Sequence, residues 1–192
     1  MPVGDRPESW PVARSEYLHR DGWVVALRSD LVHRPGRLDE EPFRRLVLEH
    51  PGAAMAVAID DDGRVLCLQQ YRHPARRSFV EFPAGICDVE GEDPIEVARR
   101  ELREEAALQA GEWTHLLSTY SSPGISSELI HLYLARDLSP ADRGDFVLVH
   151  EEAEMELFWA PFDEILEGVL EGRVADGPVA MALLACRVRG LA

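Results

Sequence analysis

Residues Gly85–Leu108 read G-I-C-D-V-E-G-E-D-P-I-E-V-A-R-R-E-L-R-E-E-A-A-L. The segment places Arg100, Glu101, Glu104 and Glu105 within about one and a half helical turns, behind a Gly-containing loop. Asp93 can cap the first turn, Pro94 suits the first helical position, and Glu92 and Glu96 favour the positive end of the helix dipole. Ile95, Ala98, Leu102 and Ala106 recur at helical spacing and can face a core. Glu101 and Glu105 then stack one turn apart, with Glu104 adjacent; like charges at this spacing destabilise an exposed helix by a few tenths of a kcal/mol. A divalent cation converts that repulsion into coordination, since hard ions prefer carboxylate and carbonyl oxygens. Without one, the same helix reads as a solvated face laced with salt bridges to Arg100 and Arg103. A helix running to about Gly111 is expected.

The segment resembles the signature of the Nudix hydrolases, G-x5-E-x7-R-E-U-x-E-E-x-G-U, where U is a bulky aliphatic residue. Glu92 is followed by seven residues and then by Arg100-Glu101-Leu102-Arg103-Glu104-Glu105. Two positions depart from the pattern: six residues separate Gly85 from Glu92, and Ala107 stands where the signature has its late glycine. The extra residue lengthens a loop and leaves the spacing from Glu92 to Glu105 unchanged. Alanine is poorly suited to positive φ, so a helical backbone is expected at Ala107.

The rest of the chain agrees with this reading. A length of 192 residues fits one domain, or one with an appendage. No apolar run approaches the ~20 residues that span a bilayer, and Met1–Arg20 lacks the apolar stretch of a signal peptide. The three cysteines, Cys67, Cys87 and Cys186, are scattered, so a reduced cytoplasmic protein is expected. A net charge of −15 argues against a general nucleic-acid binder. All 20 basic residues are arginine; the absence of lysine excludes a P-loop lysine, a Schiff base and a lysine general base.

Ala53–Asp60 and Arg64–Arg72 are strand-like runs joined by Asp61-Asp62-Gly63, a hairpin signal. Further strands are expected at Phe79–Phe82, Trp113–Tyr120, Leu129–Ala135 and Met155–Trp159. Phe162–Leu170 and Val179–Val188 read as helices, the second apolar nearly all round and so largely buried. Trp23–Leu27 and Phe43–Leu48 can pair around a loop at residues 33–36. The expected fold class is therefore α/β: a Nudix-type α/β/α sandwich with a mixed sheet in residues 51–192, preceded by a small antiparallel β arm in residues 1–50. Such an arm is marginal alone and should pack on the main domain or on a second chain.

Features outside the box look like the ADP-ribose pyrophosphatase branch. Residues 49–53 resemble its entry into the core domain, and Gln70-Tyr71-Arg72 followed by Glu81-Phe82-Pro83-Ala84-Gly85 resembles its approach to the box. Pro123, within Ser122-Pro123-Gly124-Ile125-Ser126-Ser127-Glu128, sits where that branch carries its marker proline. The resemblance implies Mg²⁺ or Mn²⁺ held by the Ala84 carbonyl, Glu101, Glu104 and Glu105, with Arg100 fixing the glutamates by ion pairing. It implies a general base in Glu151-Glu152-Ala153-Glu154, with Glu152 favoured and Glu151 next; an exposed charge run is the plain alternative. Arg72 would clamp a phosphate, and Glu81 would hydrogen-bond adenine or ribose. Ser126 and Glu128 would line the terminal-ribose pocket, and Pro123 and Gly124 of the same loop would also bind substrate. Arg45 would reach a neighbour's site in a homodimer that exchanges its N-terminal strands. The implied reaction is hydrolysis of ADP-ribose to AMP and ribose 5-phosphate. Alternatives are another nucleoside diphosphate sugar, such as GDP-mannose, or a sensor that binds ADP-ribose without cleaving it. No nucleic-acid or membrane partner is expected.

Overall fold

A computed structural model describes residues 3–144, 146 and 154–192. The chain divides into two compact units. The first holds the residues up to Pro51 together with Ser122–Glu128. Its strands β1 (Val12–His19), β2 (Ala26–Val32) and β3 (Phe43–Glu49) form an antiparallel sheet in the order β1-β2-β3. β2 starts at Ala26, not at Trp23, and β1 is a strand that composition did not announce. All of its residues are exposed, so no burial pattern marks it, and its place is set by backbone pairing to β2. Arg28 links the sheet, pairing through Nε with Asp30 at 2.9 Å and through Nη1 with Glu49. The segment Ser122–Glu128 joins β3 through Leu48 N–H to Ile125 O at 2.7 Å and Ser127 N–H to Leu48 O at 3.1 Å.

The second unit holds Gly52–Ser121 and Leu129–Ala192. Its strands are β4 (Ala53–Ala58), β5 (Arg64–Arg72), β6 (Arg77–Glu81), β7 (Ala84–Ile86), β8 (Leu108–Tyr120), β9 (Leu129–Pro140) and β10 (Glu156–Pro161). Helices α1 (Pro94–Ala106), α2 (Phe162–Leu170) and α3 (Gly177–Val188) complete it. A mixed sheet runs β7-β4-β9-β8, with β4 and β9 parallel and the other pairs antiparallel; a second, antiparallel sheet runs β10-β5-β6.

The turn at Asp61-Asp62-Gly63 forms as expected, with Asp60 N–H to Arg64 O at 3.0 Å and one bridge between Ile59 and Val65. Beyond that bridge the two strands part into different sheets. A hairpin signal specifies the turn; pairing further along is decided by the strands' other neighbours.

Alternation along β4 explains the layering. Ala54, Ala56 and Ala58 face α1, packing with Val97, Ala98 and Leu102. Met55, Val57 and Ile59 face the opposite way, into a core with Phe162 and Ile165 of α2 and Val179, Leu183 and Cys186 of α3. Small residues let α1 approach closely, and each fully buried Leu or Val contributes about 1.5–3 kcal/mol. The α/β/α arrangement follows. α3 is less enclosed than its apolar sequence implied: Val179, Ala182, Leu183 and Cys186 are buried, but Leu184 and Val188 are exposed.

Candidate active site

The loop before α1 is fastened to the sheet. Ala84–Ile86 pairs with Ala53–Met55, Ala56 N–H donates to Pro83 O at 2.8 Å, and Cys87 N–H donates to Gly52 O at 3.0 Å. α1 then starts as its sequence dictates: Asp93 caps it by accepting from Ile95 N–H at 3.1 Å, and Pro94 occupies its first turn. It ends earlier than expected. Ala107 is left-handed, at φ 53° and ψ 38°, its N–H returning to Arg103 O at 3.0 Å, and β8 begins at the next residue. The helical backbone expected at Ala107 is therefore incorrect. The position keeps the conformation a glycine would take, and alanine bears the strain.

The box places two acids on the buried side of α1: Glu101 is 8% exposed and Glu105 is 5%. Buried carboxylates need partners. Arg100 Nη1 lies 2.6 Å from Glu101 Oε1 and 3.5 Å from Glu104 Oε2, and its Nη2 lies 3.7 Å from Glu92 Oε2. Glu105 Oε2 accepts from Ala84 N–H at 3.1 Å, tying the helix to the strand before it. Arg143 Nη2 donates to the Glu105 main-chain oxygen at 3.1 Å, meeting the negative end of the helix. A side chain at Gly85 would displace the Glu101 carboxylate, because a Cβ there would come 2.0 Å from Glu101 Oε1.

This donor set fits a hard divalent ion. It offers carboxylate oxygens from Glu101, Glu104 and Glu105 beside the main chain of Ala84, and Gly85 leaves space that the Glu101 carboxylate enters. Among the described residues, no three His, Cys, Asp or Glu side chains are already gathered around one point; the cation facing Glu101 and Glu104 is Arg100. Among the described residues, Glu92 Oε2 is buried without a hydrogen bond, with Arg100 as its ion-pair partner. Cys87, half-buried in the loop, has its thiol pushed up by burial and then by Glu92.

Arg72 and Glu81, expected to touch different parts of a substrate, face each other. Arg72 Nε lies 2.9 Å from Glu81 Oε1, and its Nη2 lies 2.6 Å from Oε2. Adjacent antiparallel strands β5 and β6 bring them together. In the first unit, Arg45, Leu46 and Val47 line a cleft of about 380 Å³ with residues 123–127, which include Pro123, Gly124 and Ser126. Arg45 thus lies beside the proline loop of its own chain, its guanidinium over the Phe43 ring. Glu128 sits 3.7 Å from His50 Nε2 and donates its N–H to Ser126 Oγ at 3.1 Å. Glu151 and Glu152 lie outside the described residues. Sequence reasoning missed three contacts here: the Arg72–Glu81 pair, Arg143 on the Glu105 carbonyl, and Ser127, whose Oγ receives the His50 N–H at 3.0 Å. Nothing local signals any of them, since each joins residues distant in sequence or on different strands.

Comparison with known proteins places the chain in a family. The NUDIX domain model matches residues 49–182. The chain is 42% identical over 171 residues to an ADP-ribose pyrophosphatase of Mycobacterium tuberculosis, covering 89% of this chain and 80% of that one. It is 31% identical over 185 residues to a GDP-mannose pyrophosphatase of Yersinia enterocolitica, covering 93% and 95%. A solved structure described as an ADP compounds hydrolase superposes with a TM-score of 0.71 at 20% identity, covering 98% of each chain, which shows a shared fold. With the Arg100–Glu105 box in place on α1, this chain belongs to the Nudix hydrolase family.

Proposed function

We propose that this Nudix pyrophosphohydrolase cleaves the pyrophosphate bond of ADP-ribose, giving AMP and ribose 5-phosphate, with Mg²⁺ or Mn²⁺ as cofactor. The observation that carries the reading is the 42% identity, across 89% of the chain, to the ADP-ribose pyrophosphatase of M. tuberculosis. Glu101, Glu104, Glu105 and the Ala84 carbonyl would hold the metal. When bound, it lowers the pKa of water and offsets charge developing on the phosphate oxygens. Arg100 keeps Glu101 and Glu104 in place through its ion pairs. Glu152, or Glu151 beside it, takes the proton of the attacking water. Arg72 grips a phosphate with a fork that Glu81 orients. Ser126 and Glu128 would line the terminal-ribose pocket, beside Pro123 and Gly124, and Arg45 would reach a neighbouring chain's site in the dimer.

The N-terminal sheet supports a homodimer with exchanged strands built on the arm of residues 1–50. Trp10, Val12, Tyr17, Leu18 and Trp23 are all exposed on it or next to it, apolar surface that a second chain would cover. The three free cysteines suit the cytoplasm. A second substrate, GDP-mannose, is favoured by the 31% identity to the Yersinia enzyme over 93% of this chain.

The test is product analysis with ADP-ribose and GDP-mannose, each with Mg²⁺ and with EDTA. Chelator-sensitive release of AMP from ADP-ribose, faster than GMP from GDP-mannose, is expected. The reverse order replaces the substrate, and no turnover of either refutes the activity. Sedimentation of a fully active monomer would refute the dimer.

A further inference from the structure

β8 carries an irregularity that assembles side chains unrelated to the box. His115 pairs with Tyr133, but the next pairs are Leu117 with Leu132 and Ser118 with His131, leaving Leu116 as an extra residue. In a regular strand, residues three apart point to opposite faces. The bulge at Leu116 turns both His115 and Ser118 to the face that carries His131 and Tyr133. It is held from two sides: Leu116 is buried in the core, and Arg189 Nη1 donates to His115 O at 2.9 Å and Leu116 O at 3.0 Å.

On that face two imidazoles converge on one oxygen. His115 Nε2 lies 2.9 Å from Ser118 Oγ, and His131 Nδ1 lies 2.8 Å from the same atom. The His115 ring packs against Tyr133 with centroids 5.3 Å apart, which limits its rotation. A hydroxyl has one proton, so it donates to one ring and accepts from the other. Paired imidazole nitrogens are the donors that borderline first-row ions prefer, in contrast to the all-oxygen box.

We propose that His115, Ser118 and His131 form a second cation site, for a borderline divalent ion such as Zn²⁺ or Ni²⁺, with water completing the ligand set. Metal competes with protons for imidazole. With two imidazoles and a hydroxyl, the site is weaker than a four-ligand structural zinc centre and loads according to metal supply.

The test is a Zn²⁺ titration of the full chain in saturating Mg²⁺, which fills the oxygen sites, followed by NMR of ¹⁵N-labelled imidazoles. The rings of His115 and His131 should shift together, out of the seven histidines. Zn²⁺ affinity should fall by about tenfold or more in His131→Ala and in His115→Ala, and by a smaller factor in Ser118→Ala, while Glu101→Gln retains the response of those two rings. The ring shifts are read on the unmodified protein, so they do not depend on a variant folding. Stationary His115 and His131 rings in the unmodified protein, or shifts abolished by Glu101→Gln alone, would overturn the proposal.

Discussion

The guanidinium of Arg72 and the carboxylate of Glu81 form a forked ion pair, with Nε 2.9 and 3.2 Å from the two oxygens and Nη2 2.6 Å from one of them. Glu81 is 6% exposed, whereas the Arg72 side chain is 49% exposed. The arginine expected to grip a phosphate is thus set in direction by a buried acid behind it.

Removing Arg72 should therefore affect the fold as well as the substrate. Arg72→Ala leaves a buried acceptor without its partner, and a loss of about 1–3 kcal/mol is expected. Arg72→Lys restores the charge but not the fork and should fall between the two. Urea midpoints of both variants check this; midpoints equal to the wild type would show that the pair contributes nothing.

Gly85→Ala should disable the site without unfolding it. The new Cβ would meet Glu101 Oε1 at 2.0 Å and Cδ at 2.3 Å, so the carboxylate must move. Turnover is expected to drop by about tenfold or more, equivalent to ~1.4 kcal/mol of lost transition-state stabilisation. Unaltered turnover, with the circular dichroism spectrum unchanged, would mean that Glu101 need not stay where it is.

Ala107→Gly should stabilise the protein. Left-handed backbone costs a residue with Cβ about 1–2 kcal/mol, partly offset by the ~0.4–1 kcal/mol of extra unfolded-chain freedom that glycine brings. A rise in Tm with unchanged activity is expected. A fall would show that the methyl group, not the backbone, matters at this position.

Burial pushes the Cys67 thiol up to about 12 and the Cys186 thiol up to about 11. Both stay protonated and unreactive near pH 8, so a thiol reagent should label Cys87 first and the other two only in denaturant. The sign for stability follows from raised folded values. The contribution is complete below the ordinary thiol value of 9.0 and declines as the pH rises from there toward 11–12. Equal labelling of all three thiols in the native protein would contradict this.

What the sequence made legible was local. Asp93 and Pro94 start α1 where they stand, and the bounds of β5 and α2 coincide with runs visible in the chain. The end of α1 was misread because alanine carries no mark of positive φ; the neighbouring strand, not the residue, decides Ala107. β1 escaped notice because an exposed strand has no buried face to print a period on the sequence. The box residues were readable as a motif, but their partners were not. Arg143 reaches Glu105, and Arg72 reaches Glu81, only after β9 ends beside α1 and β6 pairs with β5. The bulge at Leu116 is of the same kind, visible only once β8 and β9 are in register.

The most direct test is the rate of ADP-ribose hydrolysis by Glu101→Gln and Glu105→Gln at saturating Mg²⁺, beside the unmodified enzyme. Each variant should keep its fold and lose activity by about a hundredfold or more, since each removes a charged oxygen from the proposed metal site. Near-normal rates in both, with the unmodified enzyme inhibited by EDTA, would contradict the assignment of the metal to these glutamates.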